Sequence, residues 1–300
     1  MRKKTKSWIV TAFLLVLIGG VLFAGAMFAL GWDFTKLSTV KYETNTYDVT
    51  DAYRNVTVIT DTADVTFVPS ETAGTSVVCY EEENLRHAVM VNEDTLVIEL
   101  DDTRKWYEHI GIGFGKPTVT VYVPQGDYAA LCVKASTADV TVPKEFSFSS
   151  IDVRVSTGDV INNADASGIL NIKTSTGDIR LASVSADTLN LSVSTGDIKA
   201  TDVRCQQFQS CGDTGDIFLK NVIATESLSA QRGTGDVTFD GCDAADIVVT
   251  TDTGDVKGDL LTDKVFVTQT DTGRVHVPNT TAGGRCEIIT TTGDIHLSIY

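Results

Sequence analysis

"STGD" stands at residues 156–159, again at 175–178 and again at 194–197. Variants continue the series: DTGD at 213–216, GTGD at 233–236, DTGD at 252–255, DTGR at 271–274 and TTGD at 291–294. The glycines Gly158, Gly177, Gly196, Gly215, Gly235, Gly254, Gly273 and Gly293 are 19 or 20 residues apart. Two earlier segments fit with alanine in the glycine slot, VTVITDTADVTF around Ala63 and LCVKASTADVTV around Ala138. Together they make ten turn motifs. A fixed period near 20 residues signals a stack of like units.

The residues between the motifs say what each unit is. Seven positions before the glycine stand Leu170, Leu189, Phe208, Leu228, Ile247, Phe266 and Cys286. Two positions after it stand Val160, Ile179, Ile198, Ile217, Val237, Val256, Val275 and Ile295. Ser, Thr, Lys, Arg and Gln fill the alternate places. A period of two marks strands with one buried face, and no helix can be drawn through it. Each repeat therefore reads as one coil: strand, tight turn at T-G-D, strand, return. Coils stacked about 4.8 Å apart place like residues in ladders. One coil cannot bury its apolar face alone, so neighbours supply the core. The expectation is an all-β chain, a parallel β-solenoid of about ten coils over residues 50–300.

One stretch breaks the period. Ala63 and Ala138 are 75 positions apart, and the stretch between them holds strand-like TSVVCYE, AVMVNEDTLVIEL and PTVTVYVP. NEDT predicts a hairpin turn. Residues 69–130 are expected to form a small antiparallel sheet at the N-terminal end of the solenoid. Its long loop, 101–116, carries Trp106, Tyr107, His109 and Phe114, candidates for a contact patch.

The N-terminus differs in kind. Residues 8–32 carry no charge and are long enough to cross a bilayer as a helix. The length favours an uncleaved signal anchor over a cleavable signal peptide, although AGA at 24–26 resembles a cleavage site. Arg2, Lys3, Lys4 and Lys6 place the basic tail, residues 1–7, in the cytoplasm. Residues 33–49 read as a linker, and the solenoid lies outside the membrane. Beyond the tail, 40 acidic residues face 20 basic ones, a net charge of −20. That surface repels phosphate backbones and disfavours nucleic acid.

The order TADVTFVPS, DTLVIEL, KWYEHIGIGFG, TVTVYVP and then iterated STGDI resembles a bacterial putative-adhesin family of domains of unknown function. That family includes LiaG-like cell-envelope proteins. The similarity spans roughly residues 45–300. It implies a β-solenoid at the cell envelope and brings no catalytic residues or cofactor.

Four chemical readings compete with a purely structural one. DTG at 213, 252 and 271 matches the aspartic-protease triplet. That mechanism needs two carboxylates sharing a proton across facing loops, whereas these triplets stack as parallel rungs. A polysaccharide-cleaving enzyme would want a cleft built from unequal loops, and the coils after residue 140 are uniform. Asp159, Asp178, Asp197, Asp216, Asp236 and Asp255 share one slot and form a candidate cation ladder. The simpler reading is that each carboxylate bonds backbone N–H groups in its own turn. Arg274 interrupts the ladder. GIGFGK at 111–116 precedes a strand rather than a helix, so it makes a poor phosphate cradle.

Cys242 and Cys286 fall in apolar columns, while Cys205 and Cys211 are close enough in sequence to consider a bridge. His276 and His296 hold the same slot and should stack. The last coil ends at IHLSIY and reads as a bare edge, covered by Tyr300 or open to end-to-end self-association. The functional expectation is a membrane-anchored binding or sensing module rather than an enzyme, with a glycan, wall polymer or membrane protein as partner. The alternative is an accessory of envelope-stress signalling acting through membrane partners.

Overall fold

The computed structural model describes residues 3–102, 104 and 113–300. Helix α1 (Lys3–Ala29) opens the chain, and its segment Trp8–Ala29 is long and apolar enough to span a membrane. Among the described residues that follow, apart from one short 3-10 turn at Phe34–Leu37, all is strand and connection.

The chain forms a parallel β-solenoid of about nine turns. β1 (Tyr42–Val49) precedes β2 (Asn55–Thr60) and β3 (Asp64–Ser70), the two sides of the first coil. β4 (Thr75–Glu82), β5 (Leu85–Asn92), β6 (Thr95–Asp102) and β7 (Thr118–Pro124) occupy the stretch that breaks the period. β8 (Gly126–Thr137) and β9 (Val140–Val142) then resume it. From there each coil pairs in parallel with the next, Thr157↔Thr176, Thr176↔Thr195, Thr195↔Thr214 and Thr214↔Thr234 in register. The apolar columns meet inside. Leu170, Leu189, Leu228 and Ile247 are fully buried, as are Ile179, Ile198, Ile217 and Val237.

The corner explains the glycine. Gly158, Gly177, Gly196, Gly215, Gly235, Gly254 and Gly293 all adopt positive φ, from 123° at Gly215 to 156° at Gly254. A Cβ on Gly196 would enter the van der Waals shell of the carbonyl oxygen of Gly177. Only glycine gives both the backbone sign and the clearance between stacked corners.

The period does not report spatial order, and at both ends the order is not the chain's. At the N-terminal end, β6 pairs in parallel with β2, and β7 with β3. Those two strands make an outer coil laid beyond the first, whereas the sequence pattern predicted an antiparallel sheet throughout 69–130. Only β4, β5 and β1 run antiparallel, β4 against β7, β5 against β6 and β1 against β4. The NEDT hairpin is present, with Asn92 opposite Thr95 and Glu93 at positive φ. The expected linker 33–49 contains β1, because the residues from Tyr42 to Val49 alternate well enough to pair along all of β4.

At the C-terminal end, Gly284–Thr292 lies between Val237–Thr253 and Lys264–Thr272. The last coil in sequence is thus the penultimate coil in space. Tyr300 does not fold over an end; it is 92% exposed, and its N–H donates to the Leu260 carbonyl. The bare edge belongs to residues 264–276. That coil is the weakest of the series: Thr268 replaces an aliphatic residue, Arg274 replaces the aspartate, and Val265, Val267 and Val275 are exposed. The final coil, with Cys286, Ile288, Ile295 and Leu297, has the stronger core and takes the covered position.

Candidate functional site

The slot after each glycine builds a continuous ladder. The backbone N–H of Asp139 donates to Oδ1 of Asp64 at 2.9 Å, and that of Asp159 to Asp139 at 2.9 Å. The series continues through Asp178, Asp197, Asp216, Asp236, Asp255 and Asp294 at 2.7–2.9 Å. It ends when Arg274 N–H donates to Asp294 at 2.8 Å. Each aspartate therefore serves the neighbouring coil, not its own turn as the sequence pattern suggested. The N–H of Asp178 and then Arg180 hold the Asp159 carboxyl below its ordinary value, with burial opposing them. Arg274 does not interrupt the ladder; spatial reordering places it at the final rung, 3.0 Å from Asp294. Lys116 closes the other end, 2.6 Å from Asp64.

This use of Oδ1 bears on the cation reading. Arg180 bridges Asp159 at 2.9 Å and Asp178 at 2.6 Å, and Lys257 meets Asp236 at 2.7 Å. Among the described residues, Asp197, Asp216 and Asp255 have no ion pair, so a bound cation would draw on their second oxygens. The DTG triplets at 213, 252 and 271 lie on parallel rungs of one stacked corner, with the GTG of 233 and the TTG of 291 between them. They cannot form facing carboxylates.

A concavity lies on another face. It is a groove of about 870 Å³ crossing the coils that contain Ile59, Lys134, Arg154, Lys173, Ser192 and Cys211. These residues are one outward column, four positions before each corner, and stay in register from coil to coil. A parallel column two positions earlier supplies Asp152, Asn171, Asn190 and Gln209. Asn190 Nδ2 donates to Asn171 Oδ1 at 2.8 Å, so the amides also form a ladder. Arg154 is held by Asp152 at 3.1 Å. Sequence analysis did not select this face. Its signal was the run of Lys, Arg and Lys in one slot of three consecutive repeats.

Two buried polar groups also escaped the sequence reading. Near the N-terminal end, Thr60 Oγ1 lies 3.0 Å from His87 Nε2, and His87 Nδ1 lies 2.7 Å from Glu81 Oε2. Glu81 also accepts the His87 backbone N–H at 2.7 Å and Asn45 Nδ2 at 2.9 Å. Burial pushes the Glu81 carboxyl up, but these hydrogen bonds outweigh it and leave the group below its ordinary value. The order hydroxyl, imidazole, carboxylate is that of a hydrolytic triad. Here all three are buried, Thr60 being 6% exposed where it lines the groove. Cys79 joins Glu81 and His87 with ligand atoms within 4.8 Å of one another, a set that fits a metal ion by composition. Burial drives the Cys79 thiol up to about 12, with Glu81 adding to the shift, which keeps the sulfur protonated.

The second is Arg232, 1% exposed in an inward column. Gly212 stands beside it in the next coil and leaves room for the guanidinium. Nη1 reaches the Val193 carbonyl at 3.1 Å, across the intervening coil. A glycine in a slot that elsewhere holds valine, alanine or threonine, next to a repeat with arginine there, was the available signal.

Other expected sites fare as follows. Trp106, Tyr107 and His109 lie outside the described residues. Phe114 is half exposed, and Gly113 and Gly115 lie against the Tyr42 ring. All six cysteines are free; Cys205 is buried and Cys211 is on the outer face of the same strand, so they do not bridge. His276 and His296 stack as expected, with centroids 4.8 Å apart.

The model of the Toastrack DUF4097 family matches residues 53–300. Among solved structures, a putative adhesin from Parabacteroides merdae superposes with a TM-score of 0.52 at 13% identity, covering 86% of this chain and 96% of that one. A putative adhesin from Bacteroides fragilis is 18% identical with a TM-score of 0.49, covering 86% of this chain and 97% of that one. A putative lipid binding protein from Parabacteroides distasonis is 16% identical with a TM-score of 0.49, covering 85% and 97%. These likenesses are at the level of fold. None of the curated proteins compared with the chain matches it.

Proposed function

The chain belongs to the Toastrack DUF4097 family, and on that footing we propose that it is an envelope binding module that holds an extended polymer along its groove. The observation that supports this reading is the groove itself. Its side chains stand on strands paired on both sides, so they are positioned without loops to order on binding. They repeat at the spacing of the coils, about 4.8 Å, which suits a ligand that also repeats. Amides and hydroxyls dominate, the groups that hydrogen-bond the hydroxyls of a glycan or wall polymer. We read the chain as a non-enzyme: the triad-like group is buried, and the aspartates of the ladder are committed to backbone N–H groups. The N-terminal helix acts as a signal anchor, with residues 1–7 cytoplasmic and the solenoid outside.

The test is a binding assay of the full chain in nanodiscs against cell-wall fragments and defined glycans. Replacing Asn190 and Gln209 with alanine is expected to weaken binding about tenfold while leaving the melting temperature near its starting value. Unchanged binding by that variant removes the groove as the site.

A further inference from the structure

From the charges on the same face, and resting on the binding reading above, we infer that the groove selects a linear polyanion. Lys134, Arg154 and Lys173 stand on three consecutive coils, paired residue to residue in the sheet register. All three are exposed. Arg154 is partly neutralised by Asp152, at 3.1 Å. Among the described residues, Lys134 and Lys173 have neither an ion pair nor a hydrogen bond through the ammonium group.

The chain beyond its basic tail has 40 acids against 20 bases. On the neighbouring face Arg180 and Lys257 pair with the aspartate ladder, while Lys199 lies over the Phe218 ring. Lys220 likewise pairs with Asp240 at 2.7 Å. In the groove the pattern reverses. The column of Lys134 holds no acid over the coils that follow, running on through Ser192 and Cys211. The corner slot beside it is serine at Ser136, Ser156, Ser175 and Ser194, with Asp61 on the coil before and Asp213 on the coil after.

Free ammonium groups at the first and third of three rungs lie about 10 Å apart along the axis, from twice the strand spacing. Between them Arg154 keeps guanidinium N–H groups beyond its bond to Asp152. A compact anion would engage one of these centres. An extended chain with an anion at each coil, or at alternate coils, engages the row, and the amides beyond Lys173 take its uncharged portions. A polyphosphate-type chain and a uronate glycan share this chemistry. The gain is local, since the rest of the surface repels the same ligand, and it is strongly dependent on salt.

The experiment uses the full chain in nanodiscs with three probes of matched length: linear polyphosphate, oligogalacturonate and neutral dextran. Titration calorimetry at several salt concentrations reads the affinity and its salt slope. One or both polyanions are expected to bind more tightly than dextran, and the better one identifies the anion. In the double variant Lys134→Gln, Lys173→Gln that affinity should fall at least about tenfold, with a shallower salt slope. The control is Lys220→Gln, Lys257→Gln on the other cationic positions, expected to leave binding unchanged. An equal loss in the control overturns the inference, because attraction would then be diffuse. Dextran bound as tightly as the polyanions, and unaffected by the lysine changes, overturns it while leaving the binding module standing. Binding of no polymer at all removes both readings.

Discussion

The two ends of the solenoid solve the same problem differently. At the N-terminal end, an outer coil of β6 and β7 is covered by strands of reversed direction, β4 and β5, with β1 beyond. At the C-terminal end, residues 264–276 lie bare, with Val265, Val267 and Val275 exposed. Reversal matters because an antiparallel strand cannot continue the corner-to-corner ladder. The covered end also spends charge on its interior, burying Glu81 and His87 together. The bare end buries one charge, Lys264, against Asp243, and its Arg274, which offers no carboxylate to a further coil, is the final rung. A solenoid is thus stopped either by turning the strands round or by ending the side-chain series that joins one coil to the next.

The largest effect should come from breaking the covered end. Glu81→Ala leaves His87 without its acceptor in a buried site and is expected to cost about 3–5 kcal/mol. Hydrogen exchange should rise in β1, β4 and β5 and stay unchanged in Lys264–Thr272; uniform acceleration would show that the end is not a separate unit. The pH dependence has a definite sign. The Glu81 carboxyl lies below its ordinary value of 4.5 in the folded chain. Its contribution is therefore fully present above 4.5 and is lost as pH falls through the lower, folded value. In Glu81→Ala the acid limb of the stability curve should be shallower.

A smaller effect is expected at the ladder's last step. Asp294→Ala removes the acceptor for the Arg274 N–H and the partner of its guanidinium, a change of about 1–2 kcal/mol. Local exchange at 264–276 should rise while the covered end is unaffected. Equal loosening of both ends would mean that the ladder acts globally.

The smallest change in stability, within about 0.5 kcal/mol, should follow Val267→Lys on the exposed edge. Its readout is association. The bare edge is expected to self-associate at high concentration, and the lysine to shift sedimentation toward monomer. Thr46→Lys on β1, the other outermost strand, should leave sedimentation unchanged; an equal shift would erase the contrast between the ends.

Much of this was legible in the residues. The 19–20 residue spacing of the T-G-D corner and the period-two columns between corners specify parallel coils, since no other arrangement buries every column at once. The stacked pair His276 and His296 followed from their shared slot. The groove was written as Lys134, Arg154 and Lys173 in one slot, yet outward slots carry no packing signal to mark them as special. Arg232 in the core depended on Gly212 one coil away, and the Glu81–His87 pair on two strands joined by a reversed connection.

What the sequence by itself determined is the coil: its corner, its buried columns and its capacity to stack. Only the tertiary structure decided the order of stacking at the ends. A repeat is by nature compatible with any of its copies, so the period cannot say which coils are neighbours. That choice falls to differences in core strength, which place Cys286, Ile288, Ile295 and Leu297 inside and leave the weaker coil of Thr268 and Arg274 at the edge.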